Sequence, residues 1–288
     1  YHPLQAVRKS AIHADTQRRH RASMTPATFG IISGFLYLTA SLIRLIQLRG
    51  RLATWRPVLL GLIVGGILTH ALSVHGEMFT AAGINLRLQV MGSLIALVMT
   101  LIILINSLRQ PIDNLFLIVL PLTIVAIWSS HFGHNFYVAR PDLPGGILSH
   151  IIFSVLAYSM MTVAACQAML LFIQDKGLRH FSMSLVKSFP PLMAMESLLF
   201  QLLTFGLVLL TLSILTGFLF LEDISIKGLV HHAVITILAW VTFAVLVWGR
   251  YQFGWRGGKA AKWTLFGFAL LLVGYFGSKL VIEVILQG

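Results

Sequence analysis

The chain has 288 residues, of which 57% are hydrophobic and 10% charged, with a mean hydropathy of +0.87. So few charges cannot cover a water-facing surface, which excludes a soluble globular domain and points to an integral membrane protein. The formal charge of +12 would suggest nucleic acid on a soluble domain. Here the cations lie in short breaks between apolar runs, where membrane topology and anionic lipid account for them, so lipid and not nucleic acid is the expected partner.

In chain order, residues 1–23 form a basic leader (Arg8, Lys9, Arg18, Arg19, Arg21) that lacks the apolar stretch of a secretory signal. It reads as disordered, interfacial or non-native and carries no assigned chemistry. Residues 24–288 read as one transmembrane domain, an all-α polytopic helical bundle of about eight spans, because about 20 apolar residues in a helix cross the hydrocarbon layer. The spans are expected near 28–47, 57–74, 88–107, 112–131, 146–173, 196–221, 228–249 and 262–286. Gly, Pro and Arg mark the breaks, as in Arg109-Gln110-Pro111 and Gly254-Trp255-Arg256-Gly257-Gly258. The fourth span carries Pro121, which neighbouring helices make tolerable. Span six holds Gln201, Thr204, Thr211, Ser213 and Thr216 with Gly206 and Gly217, which suggest packing on several sides, and its position suggests a central helix. Cys166 is the single cysteine, so neither an intrachain disulfide nor a Cys-based metal motif is possible.

Basic residues set the expected orientation. The first, third, fifth and seventh loops carry Arg49, Arg51, Arg109, Lys176, Arg250 and Lys259, among others, whereas Arg87, Arg140, Lys227 and Lys279 stand on the other side. The first side is expected to be cytoplasmic, with both ends of the bundle outside.

Histidine is the informative residue type. Of the eight beyond the leader, His70, His75, His131, His134, His150, His231 and His232 map to the outer ends of spans two, four, five and seven; only His180 falls on the other side. His70, His150 and His231 each sit about a turn, roughly 5 Å, inside the outer boundary. Imidazole ligates iron, zinc or copper, and ionisable groups at membrane depth usually face the bundle interior and mark function. Interhelical hydrogen bonding is the competing account of any single one of them.

Other constellations are weaker. His131 and His134 share a helix face, as a metal pair would, but lie in an aromatic-rich helix end that an interfacial belt also explains. Glu222, Asp223 and Asp142 could add outer carboxylates, although loop solvation and turn chemistry account for them too. His231 and His232 point about 100° apart, so one of the two faces inward. Arg87 could meet a propionate or simply be solvated, and Glu196 is placed to complement the positive N-terminus of its own helix. No phosphate-binding loop, dinucleotide fingerprint, nucleophile elbow or zinc-protease helix is present.

The segment Pro190-Pro191-Leu192 … Met195-Glu196 … Gly206 … Leu215-Thr216-Gly217, the run Ala239-Trp240 … Gly249-Arg250 … Gly254-Trp255-Arg256-Gly257 … Gly274-Tyr275-Phe276-Gly277, and Ser149-His150 … Tyr158-Ser159 upstream resemble the cytochrome c assembly membrane proteins (CcsA/CcmC/HemX-like), most of all their HemX- and YpjD-type inner-membrane branch. The resemblance implies haem: His150 matches an outer-side ligand histidine and His70 an intramembrane one. Two features depart from the pattern. The outer loop Leu221–Lys227 has no Trp, and Leu286 stands about where a second outer ligand histidine is expected, leaving His231 or His232 to supply it.

The expectation is a multi-pass bacterial inner-membrane protein that binds or handles haem b and breaks no bonds. His70 and His150 are the axial candidates, His231 or His232 the alternate, and other membrane or cytochrome-maturation proteins the implied partners. The alternative function is a divalent-metal transporter or accessory using the same outer histidines with His131, His134, Glu222 and Asp223.

Overall fold

The computed structural model describes residues 25–48, 55–81, 83–132, 143–179, 190–220 and 227–277; the basic leader 1–23 lies outside them. The described chain is all-α: α1 (Pro26–Leu48), α2 (Arg56–Met78), α3 (Leu88–Ser107), α4 (Phe116–Phe132), α5 (Gly145–Arg179), α6 (Leu192–Phe220), α7 (Lys227–Phe253) and α8 (Gly257–Leu272), with α8 running on into a π-turn over Val273–Gly277. Seven of these are long and apolar enough to cross a membrane, and α8, at 16 residues, is the shortest. The sheet among the described residues is one small ladder, β1 (Phe79–Thr80) against β2 (Gly83–Ile84), antiparallel.

Local chemistry explains the elements. Hydrocarbon offers no water to unpaired peptide groups, so each apolar run closes its own hydrogen bonds as a helix. Thr25 precedes α1 and accepts from the Thr28 amide through both its hydroxyl and its carbonyl, while Pro26, which has no N–H to orphan, fills the first helical position. Hydroxyls inside the spans are satisfied on their own helix: Thr100 donates to Ala96 O, Thr204 to Phe200 O and Thr264 to Ala260 O, each within 2.9 Å. α4 continues through Pro121.

Packing divides the bundle into two four-helix rings. α1 packs on α2, α2 on α3, α3 on α4, and α4 returns to α1; α5 to α8 close on themselves the same way, and α3 against α5 is the main joint between the rings. Small side chains let α5 serve as the hub, since Ala157, Ala164, Ala165, Cys166 and Ala168 are all buried along it. The expectation of a central span six is corrected here. α6 packs on α5 and α7 and turns Phe205, Val208, Leu215 and Leu219 outward, more than half exposed, to lipid. Its polarity misleads because Thr204, Thr211 and Thr216 bond back to their own helix, leaving Ser213 and Gln201 as the hydroxyl and amide without such a bond.

The two ends differ in chemistry. At one end Arg44 bonds Asn114, and Arg56 pairs with Asp113 at 2.9 Å while donating to Ser107 O at 2.7 Å, tying α1, α2 and α3 together. The connection from α4 to α5 lies at the opposite end, and there the histidines collect.

Candidate functional site: two histidine clusters at one end of the bundle

In the first ring, α2 presents His70, Ser73 and Glu77 at spacings of three and four, one helical face. His70 is fully buried; its Nε2 lies 2.9 Å from Ser93 Oγ of α3, and its ring meets Tyr37 of α1 edge-on at 6.0 Å between centroids. Its Nδ1 is buried without a hydrogen-bond partner. One turn further out, Ser73 Oγ lies 3.1 Å from His131 Nε2 of α4 and 2.9 Å from the Pro26 carbonyl of α1. His131 Nδ1 lies 2.5 Å from Glu77 Oε1, both side chains being about nine-tenths buried.

Proton counting defines this arrangement. A carbonyl only accepts, so the Ser73 hydroxyl proton goes to Pro26, and Ser73 Oγ must accept from His131 Nε2–H. An unprotonated Nδ1 would then set its lone pair against the carboxylate oxygen, so a proton lies between Nδ1 and Glu77. The Ser–His–Glu order is that of a nucleophile triad, but the direction is reversed: the imidazole donates to the serine instead of drawing its proton away, and Ser73 is not activated. Nothing can enter from the α1 side either, since a Cβ on Gly30 would lie 2.0 Å from His131 Nε2. Gly30→Ala is therefore expected to destabilise the protein by about 1–3 kcal/mol, the range for overpacking a filled interior, read as a lower unfolding temperature in detergent.

Arg87 starts α3 and is no solvated loop charge. Its NH2 donates to Ser130 O at 2.6 Å, near the C-terminus of α4, where a cation also meets the negative end of that helix.

In the second ring, His150 of α5 and His232 of α7 are anchored alike at Nδ1. His150 Nδ1 lies 2.8 Å from Ser213 O of α6, and His232 Nδ1 lies 2.8 Å from Gly274 O in the π-turn after α8. In both, Nδ1–H donates to a main-chain carbonyl, which fixes the tautomer and leaves the Nε2 lone pair as the free acceptor. His150 Nε2 meets Ser154 Oγ only at 3.5 Å, while Ser154 lies 2.7 Å from Ser213 Oγ. A ring nitrogen held by a carbonyl with its opposite nitrogen open is the form in which histidine binds a metal.

The expected outer residues thus fall into two groups. His70 and His131 belong to the first ring, His150 and His232 to the second, and His70 and His150 share no hydrogen-bond partner. His134, Asp142, Glu222, Asp223 and the side chain of His231 lie outside the described residues. No group of three or more His, Cys, Asp or Glu side chains converges as a metal site among the described residues. Sequence reasoning passed over Ser73, Ser93 and Glu77. Glu77 was legible as seven residues beyond His70 on the same face, but the less apolar His75-Gly76-Glu77 placed the end of the span before it.

Glu196 also acts differently from expectation. It does not serve its own helix: its Oε1 accepts from Gly257 N at 2.7 Å, at the start of α8, while Oε2 lies 3.8 Å from Arg250. The carboxylate still meets a positive helix N-terminus, but across the ring.

The family model for cytochrome c assembly protein matches residues 60–286, which takes in every helix except α1. The chain belongs to the cytochrome c assembly family. It is 30% identical to inner membrane protein YpjD of Escherichia coli K12 over 233 residues, 80% of this chain and 89% of that protein. It is 29% identical to an uncharacterized 28.8 kDa protein from Azospirillum brasilense over 153 residues, 52% of this chain and 56% of the relative. No solved structure matches it. In this family member, both histidine clusters and the α7–α8 turn fall within the matched region.

Proposed function

We propose that the chain is an inner-membrane haem-handling protein whose histidine end faces the extracytoplasmic side. Membership of the cytochrome c assembly family brings haem into the reading, and the E. coli relative's name supports the inner membrane as its location. The observation that carries the proposal is the matched pair His150 and His232, each anchored by Nδ1 to a carbonyl at 2.8 Å with Nε2 left open. These residues fit haem iron by donor chemistry: two imidazoles from separate helices, each oriented by a main-chain acceptor. His70, with a buried ring nitrogen that has no hydrogen-bond partner, is the candidate for an intramembrane ligand. Bound haem would supply a redox-active iron.

The chain's own residues do the holding. Ser213 and Gly274 carbonyls keep the two rings in the ligating tautomer. Ser93 holds His70 against rotation. Arg87 places a cation at the same end of the bundle, where anionic propionates would be received. Glu77 at Nδ1 and Ser73 at Nε2 together engage both nitrogens of His131, so His131 ties helices together and does not ligate.

Protein purified from haem-supplied cells is expected to carry about one haem per chain, visible as a Soret band at a fixed ratio to protein. A colourless preparation holding stoichiometric zinc, nickel or cobalt would overturn this reading in favour of divalent-metal transport. A colourless, metal-free one would leave a scaffold.

A further inference from the structure

The end of the bundle opposite the histidines carries a rigid, basic and aromatic turn that the haem reading does not use. Between α7 and α8 the chain reverses through Gly254 and Gly257, both with positive φ (63° and 59°), where other residues would be strained. Gly254 N donates to Arg250 O and Trp255 N to Gly249 O, each at 3.2 Å. The Trp255 ring lies so close over Gly249 that a Cβ there would come within 2.6 Å of it. Glu196, 5% exposed, fixes the start of α8 by accepting from Gly257 N. The turn is therefore held from three sides.

Four aromatic rings run along this turn: Trp248 to Phe253 at 5.4 Å between centroids, Phe253 to Trp255 at 6.3 Å, and Trp255 to Trp263 at 5.6 Å. Trp248 and Phe253 are more than half exposed. The cations divide into two kinds. Arg250 is spent internally, 3.8 Å from Glu196 and over the Phe200 ring at 4.8 Å. Arg256, Lys259 and Lys262 are exposed, and among the described residues no carboxylate lies within ion-pair range of any of them. The Lys259 ammonium sits 3.8 Å above the Trp255 ring, which orients the charge without neutralising it.

We propose that the α7–α8 turn is a binding site for the headgroup of an anionic phospholipid, with Arg256, Lys259 and Lys262 receiving the phosphate and Trp255, Trp263 and Phe253 packing the glycerol and upper acyl chain. Exposed indole and phenyl rings settle where acyl chains meet headgroups, and unpaired cations beside them select a phosphate that carries net charge over a zwitterionic lipid. The rigidity of the turn means that little ordering is lost when the lipid binds. This site is independent of the histidine clusters at the other end.

Native mass spectrometry of the delipidated full chain, incubated with phosphatidylglycerol or phosphatidylcholine of identical acyl chains, tests it. Phosphatidylglycerol is expected to be retained several-fold over phosphatidylcholine. Retention should fall roughly fivefold for each cation removed, so that Arg256→Gln, Lys259→Gln and Lys262→Gln together abolish the preference. All three side chains are exposed, and lipid-free unfolding of the triple variant should match the parent chain. Trp255→Leu should weaken retention of both lipids. Equal retention of the two lipids, or full phosphatidylglycerol retention by the triple variant, would overturn the proposal. So would displacement of phosphatidylglycerol by equimolar inorganic phosphate, which would assign the cations to the free anion.

Discussion

Glu77→Ala is expected to destabilise the first ring by about 3–5 kcal/mol, the range for removing one partner of a buried ion pair and stranding the other. The reason is the proton count at His131. With Ser73 accepting from Nε2–H, the imidazole depends on Glu77 to receive the proton at Nδ1. Both side chains are about nine-tenths buried, so solvent screening takes little from the interaction, unlike a surface pair. The pair also joins α2 to α4 where Ser73 joins both to the Pro26 carbonyl of α1, so its loss loosens three helix ends at once. His131→Ala should cost a comparable amount, and the double variant less than the sum of the two. A double-mutant cycle of unfolding free energies in detergent would show coupling of about 1–3 kcal/mol. Independent, additive losses would mean that the two side chains only fill space.

His150→Ala and His232→Ala are each expected to lower haem affinity by at least roughly a hundredfold. Changing the groups that orient a ligand already costs about 10–100-fold in metal affinity, and removing the ligand costs no less. Equality is the informative feature: each ring is anchored through Nδ1 to a main-chain carbonyl at 2.8 Å, so neither should dominate. His70→Ala should leave haem binding by His150 and His232 titratable, because His70 belongs to the other ring. Haem titration of the purified variants, followed at the Soret band, checks all three. A loss confined to His70→Ala would transfer the assignment to the first ring.

Much of the architecture was legible in the sequence. Apolar runs of about 20 residues fix where helices form, and the described residues form eight helices, seven of them long and apolar enough to cross a membrane. The clustering of histidines at one end was legible too, because depth along a helix follows from residue count alone. Azimuth was not. Nothing in the spacing of His70 and His150 says that the chain folds into two rings, putting one imidazole in each; that depends on which helix faces meet, and so on small residues such as Gly30, Gly34 and Ala157 that permit close approach. His232, which the sequence offers alongside His231 as the alternate ligand, is anchored like His150 because the π-turn after α8 brings Gly274 O to it. Glu77 was lost for a simpler reason: hydropathy measures a span by its lipid-facing composition, and a buried ion pair in the last turn lowers that value without ending the helix. Glu196 was assigned the right chemistry and the wrong helix, since its partner depends on a turn sixty residues away.

The central claim is that the open Nε2 atoms of His150 and His232 hold one iron between them. Electron paramagnetic resonance of the ferric, haem-loaded protein tests this most directly. The account predicts a low-spin signal typical of two imidazole ligands in the parent chain, converted to high spin by either His150→Ala or His232→Ala and left intact by His131→Ala. A low-spin signal that survives the loss of both His150 and His232 would contradict it.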